Sequence, residues 1–86
     1  MLTDQTVLAE IAKTDSEWSV RQAAIENMTD QTLLTDVAKT ADGRLVRCYA
    51  VWQLTDTTTL ADIAKNDADE SVRQAAENRL AKLQAE

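Results

Sequence analysis

Apolar and polar positions along this chain follow a pattern that returns every 26 residues. Residues 2–27 read LTDQTVLAEIAKTDSEWSVRQAAIEN, residues 28–53 read MTDQTLLTDVAKTADGRLVRCYAVWQ, and residues 54–79 read LTDTTTLADIAKNDADESVRQAAENR; the three align without a gap, and LAKLQAE remains. Self-similarity at such a period marks a stack of small units, each burying its apolar face only against a neighbour. Inside each block two apolar clusters recur at helical spacing. The first is Val7, Leu8, Ile11 and Ala12, repeated as Leu33, Leu34, Val37 and Ala38 and as Thr59, Leu60, Ile63 and Ala64. The second carries Val20, Val46 and Val72 inward, with Ala24, Ala50 and Ala76 one turn later. Two short helices per block are therefore predicted.

The first helix of each block has a well-marked start. Thr3, Thr29 and Thr55 read as N-caps, whose hydroxyls accept from orphaned N–H groups of the first turn. Asp4, Asp30 and Asp56 follow at the first helical position, where negative charge suits the helix dipole. Leu2 and Met28 are placed to staple onto Val7 and Leu33. Lys13, Lys39 and Lys65 close the helix at the negative end of the dipole. An acidic turn, TDSE, TADG or NDAD, leads into the second helix. In the first two blocks that helix stops at the next Thr-Asp. After the third nothing stops it, and the good helix formers from Arg79 to Gln84 carry it nearly to the end of the chain.

The third block is finished as a terminus. Thr59 stands where the others have Val7 and Leu33, and Glu77 where they have Ile25 and Val51. A last unit with no neighbour is polar at such positions. The first block shows no comparable change, so its outer face is expected to be open or to be one that once met an earlier unit. Trp18, which stands where the other blocks have Arg44 and Glu70, is expected to cover that face.

Length, charge and composition narrow the function. Eighty-six residues make one domain, 1–86, with units at 2–27, 28–53 and 54–79 and a helical extension at 80–86. A chain this short buries only about 60% of the surface its unfolded form exposes. Nine basic against fifteen acidic residues give a formal net charge of −6. That charge repels nucleic acid and anionic membranes. No apolar run approaches the roughly 18 residues that span a bilayer. MLTDQTVLAE has neither the basic nor the apolar region of a secretory signal, and a cytoplasmic location is expected. A single cysteine cannot form an intramolecular disulfide, and there is no histidine, no proline and only Gly43 among glycines. No cofactor, metal site or phosphate loop is expected on those grounds.

The middle block breaks the pattern. In RLVRCYAVWQL, Leu45, Cys48, Tyr49 and Trp52 fall at i, i+3, i+4 and i+7, on one side of a helix. Their equivalents are Ser19, Gln22, Ala23 and Glu26 in the first block and Ser71, Gln74, Ala75 and Asn78 in the third, all small or polar. A side that is solvated in its neighbours is thus apolar in the centre. This is the composition of an interface with aromatic anchors. The bland alternative is that Leu80 and Leu83 of the tail fold back over it. Arg44 and Arg47 flank the stripe, so a protein partner with both apolar and acidic groups fits, as does a second copy of the chain across a two-fold axis.

Other constellations read as structural. Arg21, Arg47 and Arg73 form a ladder, expected to pair with the acidic turns at Asp15, Asp42 and Asp67 and to tie neighbouring units together. Cys48 has Arg44 one turn away, which favours a thiolate, but no His or second Cys to make it a nucleophile, and an inert contact is expected. Glu10, Asp36 and Asp62 form a carboxylate row, read as a solvated face rather than a cation site.

Asp15, Val20, Arg21 and Ala24, and again Asp67, Val72, Arg73 and Ala76, give a helix pair in which Asp is followed six residues later by Arg, with Val before and Ala after it. This resembles the HEAT-type α-solenoid repeat over residues 2–79. The period is shorter than that family's roughly 40 residues, the proline common in its first helix is missing, and Ala41 replaces the Asp in the middle block. The short period also resembles the leucine-rich-variant repeat, in which one helix of the two is 3₁₀. The resemblance implies an all-α superhelix, a solenoid of three helix-turn-helix units and six helices, that binds other macromolecules on the surface of its second helices. HEAT-like enzymes exist, including DNA glycosylases and phycobilin lyase subunits, so the resemblance alone does not decide against chemistry. The expected function is non-enzymatic: a protein-interaction or assembly module that docks its partner on Leu45, Cys48, Tyr49, Trp52 and Arg44, or a homodimerising repeat protein, ahead of a lyase-like or ligand-binding subunit.

Overall fold

A computed structural model of the chain describes residues 4–85. These residues form six α-helices with no strand and no 3₁₀ segment among them: α1 Gln5–Thr14, α2 Trp18–Glu26, α3 Gln31–Thr40, α4 Arg44–Gln53, α5 Thr57–Asn66 and α6 Glu70–Ala85. The helix starts at 5, 31 and 57, and those at 18, 44 and 70, repeat at the 26-residue period of the sequence. Each odd-numbered helix packs on the even-numbered helix that follows it, and successive pairs meet mainly through α1 on α3, α2 on α4 and α4 on α6.

The N-caps of the first helices lie one residue later than the sequence pattern suggests. Asp4, Asp30 and Asp56 have extended backbone, and their carboxylates accept from the second and third N–H groups of the helix, as in Thr32 N at 2.9 Å and Leu33 N at 3.1 Å for Asp30. Thr29 and Thr55 are thus outside the helix, and Thr3 lies outside the described residues. An aspartate here supplies both the acceptor and the charge that suits the dipole, so it outcompetes the threonine beside it. The shift also moves Met28 two residues ahead of the cap, where it is buried in the core; Leu2 lies outside the described residues.

α1, α3 and α5 all end on a residue of extended backbone, Asp15, Ala41 and Asp67. Arg21, Arg47 and Arg73 bind the carbonyls of those same three residues at 2.6, 2.7 and 2.6 Å. The ladder therefore caps the turn inside each pair, satisfying a carbonyl that the helix end leaves without a partner. Among the described residues direct pairing of the ladder with acidic side chains, the expected role, occurs only for Arg47, which reaches the Asp67 carboxylate at 3.2 Å; at Asp42 it binds the carbonyl at 3.0 Å.

The core runs through all three pairs and includes Leu8, Ile25, Leu34, Val51, Leu54, Leu60 and Val72. It departs from the expected stripes at one end. Val7 and Val20 are exposed and Ile11 is only half-buried, while Ala9 is buried. Val46 and Val72, the counterparts of Val20, are buried at 3% and 0% exposure. The difference follows from position, because among the described residues only those two have a preceding pair to pack on. At the other end Glu77 is exposed and Thr59 half-buried. α6 continues unbroken for 16 residues, and Leu80 and Leu83 pack on the core.

Candidate functional site

α4 begins at Arg44 without a side-chain cap and presents the residues of the central stripe. Leu45 in its first turn and Trp52 in its last are exposed, at 55% and 42%, with Cys48 and Tyr49 half-buried between them. At 1.5 Å of rise per residue the two exposed side chains lie about 10 Å apart along the helix. The tail does not cover them. Trp52 sits over a groove of about 450 Å³ whose other walls are Glu70, Ser71, Gln74, Ala75 and Asn78 of α6.

The four residues do not face one way. Leu45 lines a second groove, of about 230 Å³, with Arg44, Gly43 and Val46 and with Trp18 and Arg21 of α2. Tyr49 leans to the same side, its ring 5.2 Å from that of Trp18 at an interplanar angle of 58°. Trp18 thus turns toward the middle pair and leaves the outer face of the first pair uncovered, against expectation. The tilted ring contact supplies about 0.5–1.5 kcal/mol beyond area burial. The Arg21 guanidinium lies 5.4 Å from the Trp18 ring, within cation–π range.

Charge around α4 is unevenly engaged. Arg47 is held by Ala41, Asp42 and Asp67 and is mostly buried, so it does not rim the stripe as the sequence suggested. Arg44 is 66% exposed in its side chain and only loosely paired with Asp69 at 3.9 Å. Burial works to raise the Asp69 carboxyl, but the N–H groups of Ser71 and Val72, with Arg44, outweigh it and leave it below the usual range. The Cys48 thiol is pushed up by burial and by the Asp69 charge, against the opposing pull of Arg47 and Arg44. Burial and Asp69 thus disfavour the thiolate, which the nearby arginines alone would favour.

Two members of the carboxylate row, Asp36 on α3 and Asp62 on α5, are engaged as well. Asp36 accepts from Lys13, and Asp62 from Lys39 at 2.7 Å. The Lys39 ammonium and the Asn66 amide hold the Asp62 carboxyl below its ordinary range. These pairs run between successive helix pairs, as does a contact that sequence reasoning missed. Gln5 Oε1 accepts from the N–H groups of Thr29 and Asp30 at 2.7 and 2.9 Å, and Gln31 Oε1 from Thr55 N at 2.9 Å. The signal was present: glutamine recurs at 5 and 31, and the third unit has Thr57.

Among the described residues no group of three or more acidic or cysteine side chains is placed to hold a metal ion, and no helix is long and apolar enough to cross a membrane. Comparison with protein-family models, curated proteins and solved structures yields no match.

Proposed function

We propose that this chain is a HEAT-like α-solenoid of three helix pairs and that it works as a non-enzymatic protein-interaction module, docking another polypeptide along α4. The observation that carries the reading is the exposure of Leu45 and Trp52 at the two ends of one helix, at positions where the flanking units carry Ser, Glu or Asn. Two shallow grooves flank that helix, one lined by α2 and one by α6. An aromatic anchor beside a groove is the usual form of an interface hot spot. Arg44 sits at the Leu45 end with its side chain 66% exposed, which favours a partner that combines apolar side chains with a carboxylate. The period-26 helix register and the chain-neighbour contacts support the solenoid reading.

Sedimentation velocity over a wide concentration range, alone and with captured partners, tests the proposal together with Trp52→Glu. Trp52 is 42% exposed, so the variant is expected to keep its helical content while losing about 1–2 kcal/mol of stability. Association, with a second copy or with a different chain, is expected to be lost. Association that survives the substitution overturns the assignment of α4.

A further inference from the structure

The described residues contain two junctions between successive helix pairs, and these share most of their parts. The preceding pair contributes a lysine, Lys13 or Lys39, to a carboxylate of the next pair, Asp36 or Asp62. It contributes a glutamine, Gln5 or Gln31, to backbone N–H groups, and in the second junction an arginine, Arg47, to Asp67. It also contributes a fully buried apolar side chain, Ile25 or Val51, whose counterpart Glu77 is exposed where no further pair follows. The receiving pair answers with Val37 and Val46, or Ile63 and Val72, none more than 3% exposed.

The first pair carries the same receiving set with none of the described residues packed upon it. Val20 is 40% exposed, Ile11 half-buried, and Ala23 exposed where Ala75 is 7%. Leu8, Ile11, Val20, Ala23, Ala24 and Asn27 line an open groove of about 230 Å³ between α1 and α2. Glu10 stands at the position of Asp36 and Asp62, and Asp15 at that of Asp67. Among the described residues neither forms an ion pair.

We infer that the outer face of α1–α2 is a second docking surface, separate from α4, and that its occupant is a further helix pair presenting a β-branched or leucine side chain between a lysine and an arginine. The internal junctions define that chemistry. The lysine meets Glu10, the arginine meets Asp15, and the apolar side chain enters the groove against Val20 and Ile11. A second copy of this chain does not fit. Its far end offers Lys65 and Arg73 but places Glu77 at the apolar position and Thr57 at the glutamine position, and burying an unpaired carboxylate is costly. Two copies meeting through this same face would oppose Glu10 and Asp15 to their own equivalents, in a chain already at −6.

The test uses a full-length probe chain whose far end is rewritten to the internal pattern, Thr57→Gln, Thr59→Leu and Glu77→Val, and whose own receiving face is blocked by Val20→Lys. Trp52→Glu in both chains removes any association through α4, so the two surfaces are read separately. Circular dichroism first establishes that each variant is helical. A receiving chain that is otherwise unaltered is expected to form a one-to-one complex with the probe in sedimentation equilibrium, weakening as salt is raised. Glu10→Lys in the receiving chain is expected to weaken the complex at least about tenfold, the loss of one favourable ion pair and its replacement by a repulsive one. Val20→Lys, or Ala23→Glu should that variant fold poorly, is expected to abolish it. A mixture that remains two monomers overturns the inference, as does a complex indifferent to Val20→Lys and Ala23→Glu.

Discussion

Arg47 and Asp67 join the middle helix pair to the last one, with Nε donating to Oδ2 at 3.2 Å and both side chains at least 85% withdrawn from water. The equivalent residues one unit earlier are Arg21 and Ala41, and there the pair is missing. Arg21 still caps the Asp15 carbonyl, but its Nε is buried without a hydrogen-bond partner. Its guanidinium lies by the Trp18 ring instead. A single Asp-to-Ala difference between units thus leaves a polar deficit at the first junction that the second does not have.

Ala41→Asp is expected to repair that deficit. The new carboxylate would stand to Arg21 as Asp67 stands to Arg47 and would give the buried Arg21 Nε an acceptor, stabilising the fold by about 1 kcal/mol. Asp67→Ala is expected to cost about 2–3 kcal/mol, because it leaves a mostly buried guanidinium without its counter-charge and also removes an acceptor for Asp69 N. Urea denaturation with an unchanged m value measures both. Destabilisation by Ala41→Asp would show that the Arg21 site is not a vacant copy of the Arg47 site.

Gln31→Ala should leave the Thr55 N–H without its acceptor at 2.9 Å. The expected cost is about 1 kcal/mol, accompanied by faster amide exchange at Thr55. Thr57→Ala, the same position one unit later, has no following pair to hold and should be close to neutral. Equal effects at the two positions would mean that the glutamine acts on its own helix and not across the junction.

The Cys48 thiol should titrate above the ordinary range of a free cysteine, because burial and the Asp69 carboxylate both oppose the thiolate. Its alkylation by iodoacetamide is accordingly slow at pH 7 and rises only as pH passes that elevated value. Asp69→Asn is expected to move the midpoint down. A reaction midpoint below the ordinary thiol range would mean that Arg44 and Arg47 dominate the site.

Helix placement was legible almost to the residue, because three copies of one pattern average out local ambiguity. What the pattern misread were choices between adjacent good candidates. Thr29 and Asp30 both make acceptable caps, and the carboxylate wins only because it adds charge to the hydrogen bond. Val20 reads as a core residue by analogy with Val46, yet burial depends on a neighbour that position 20 does not have. For the arginine ladder the residue types were legible but not the acceptors, since backbone carbonyls leave no trace in composition. The central stripe was legible as unusual. Its division, with Leu45 and Tyr49 leaning toward α2 and Trp52 toward α6, depends on where neighbouring helices lie and so could not be read from one helix alone.

The shortness of the helices makes them depend on one another. Isolated helices shorter than about 12–15 residues are marginal in water; α1 to α5 span 9 or 10 residues each, whereas α6 spans 16. None of the first five is expected to hold its shape before it finds a neighbour, and each draws its stability from the pair beside it. The first pair, whose apolar edge is exposed, is expected to fray before the middle one, so a partner seated on it would stiffen a part of the molecule little able to stiffen itself.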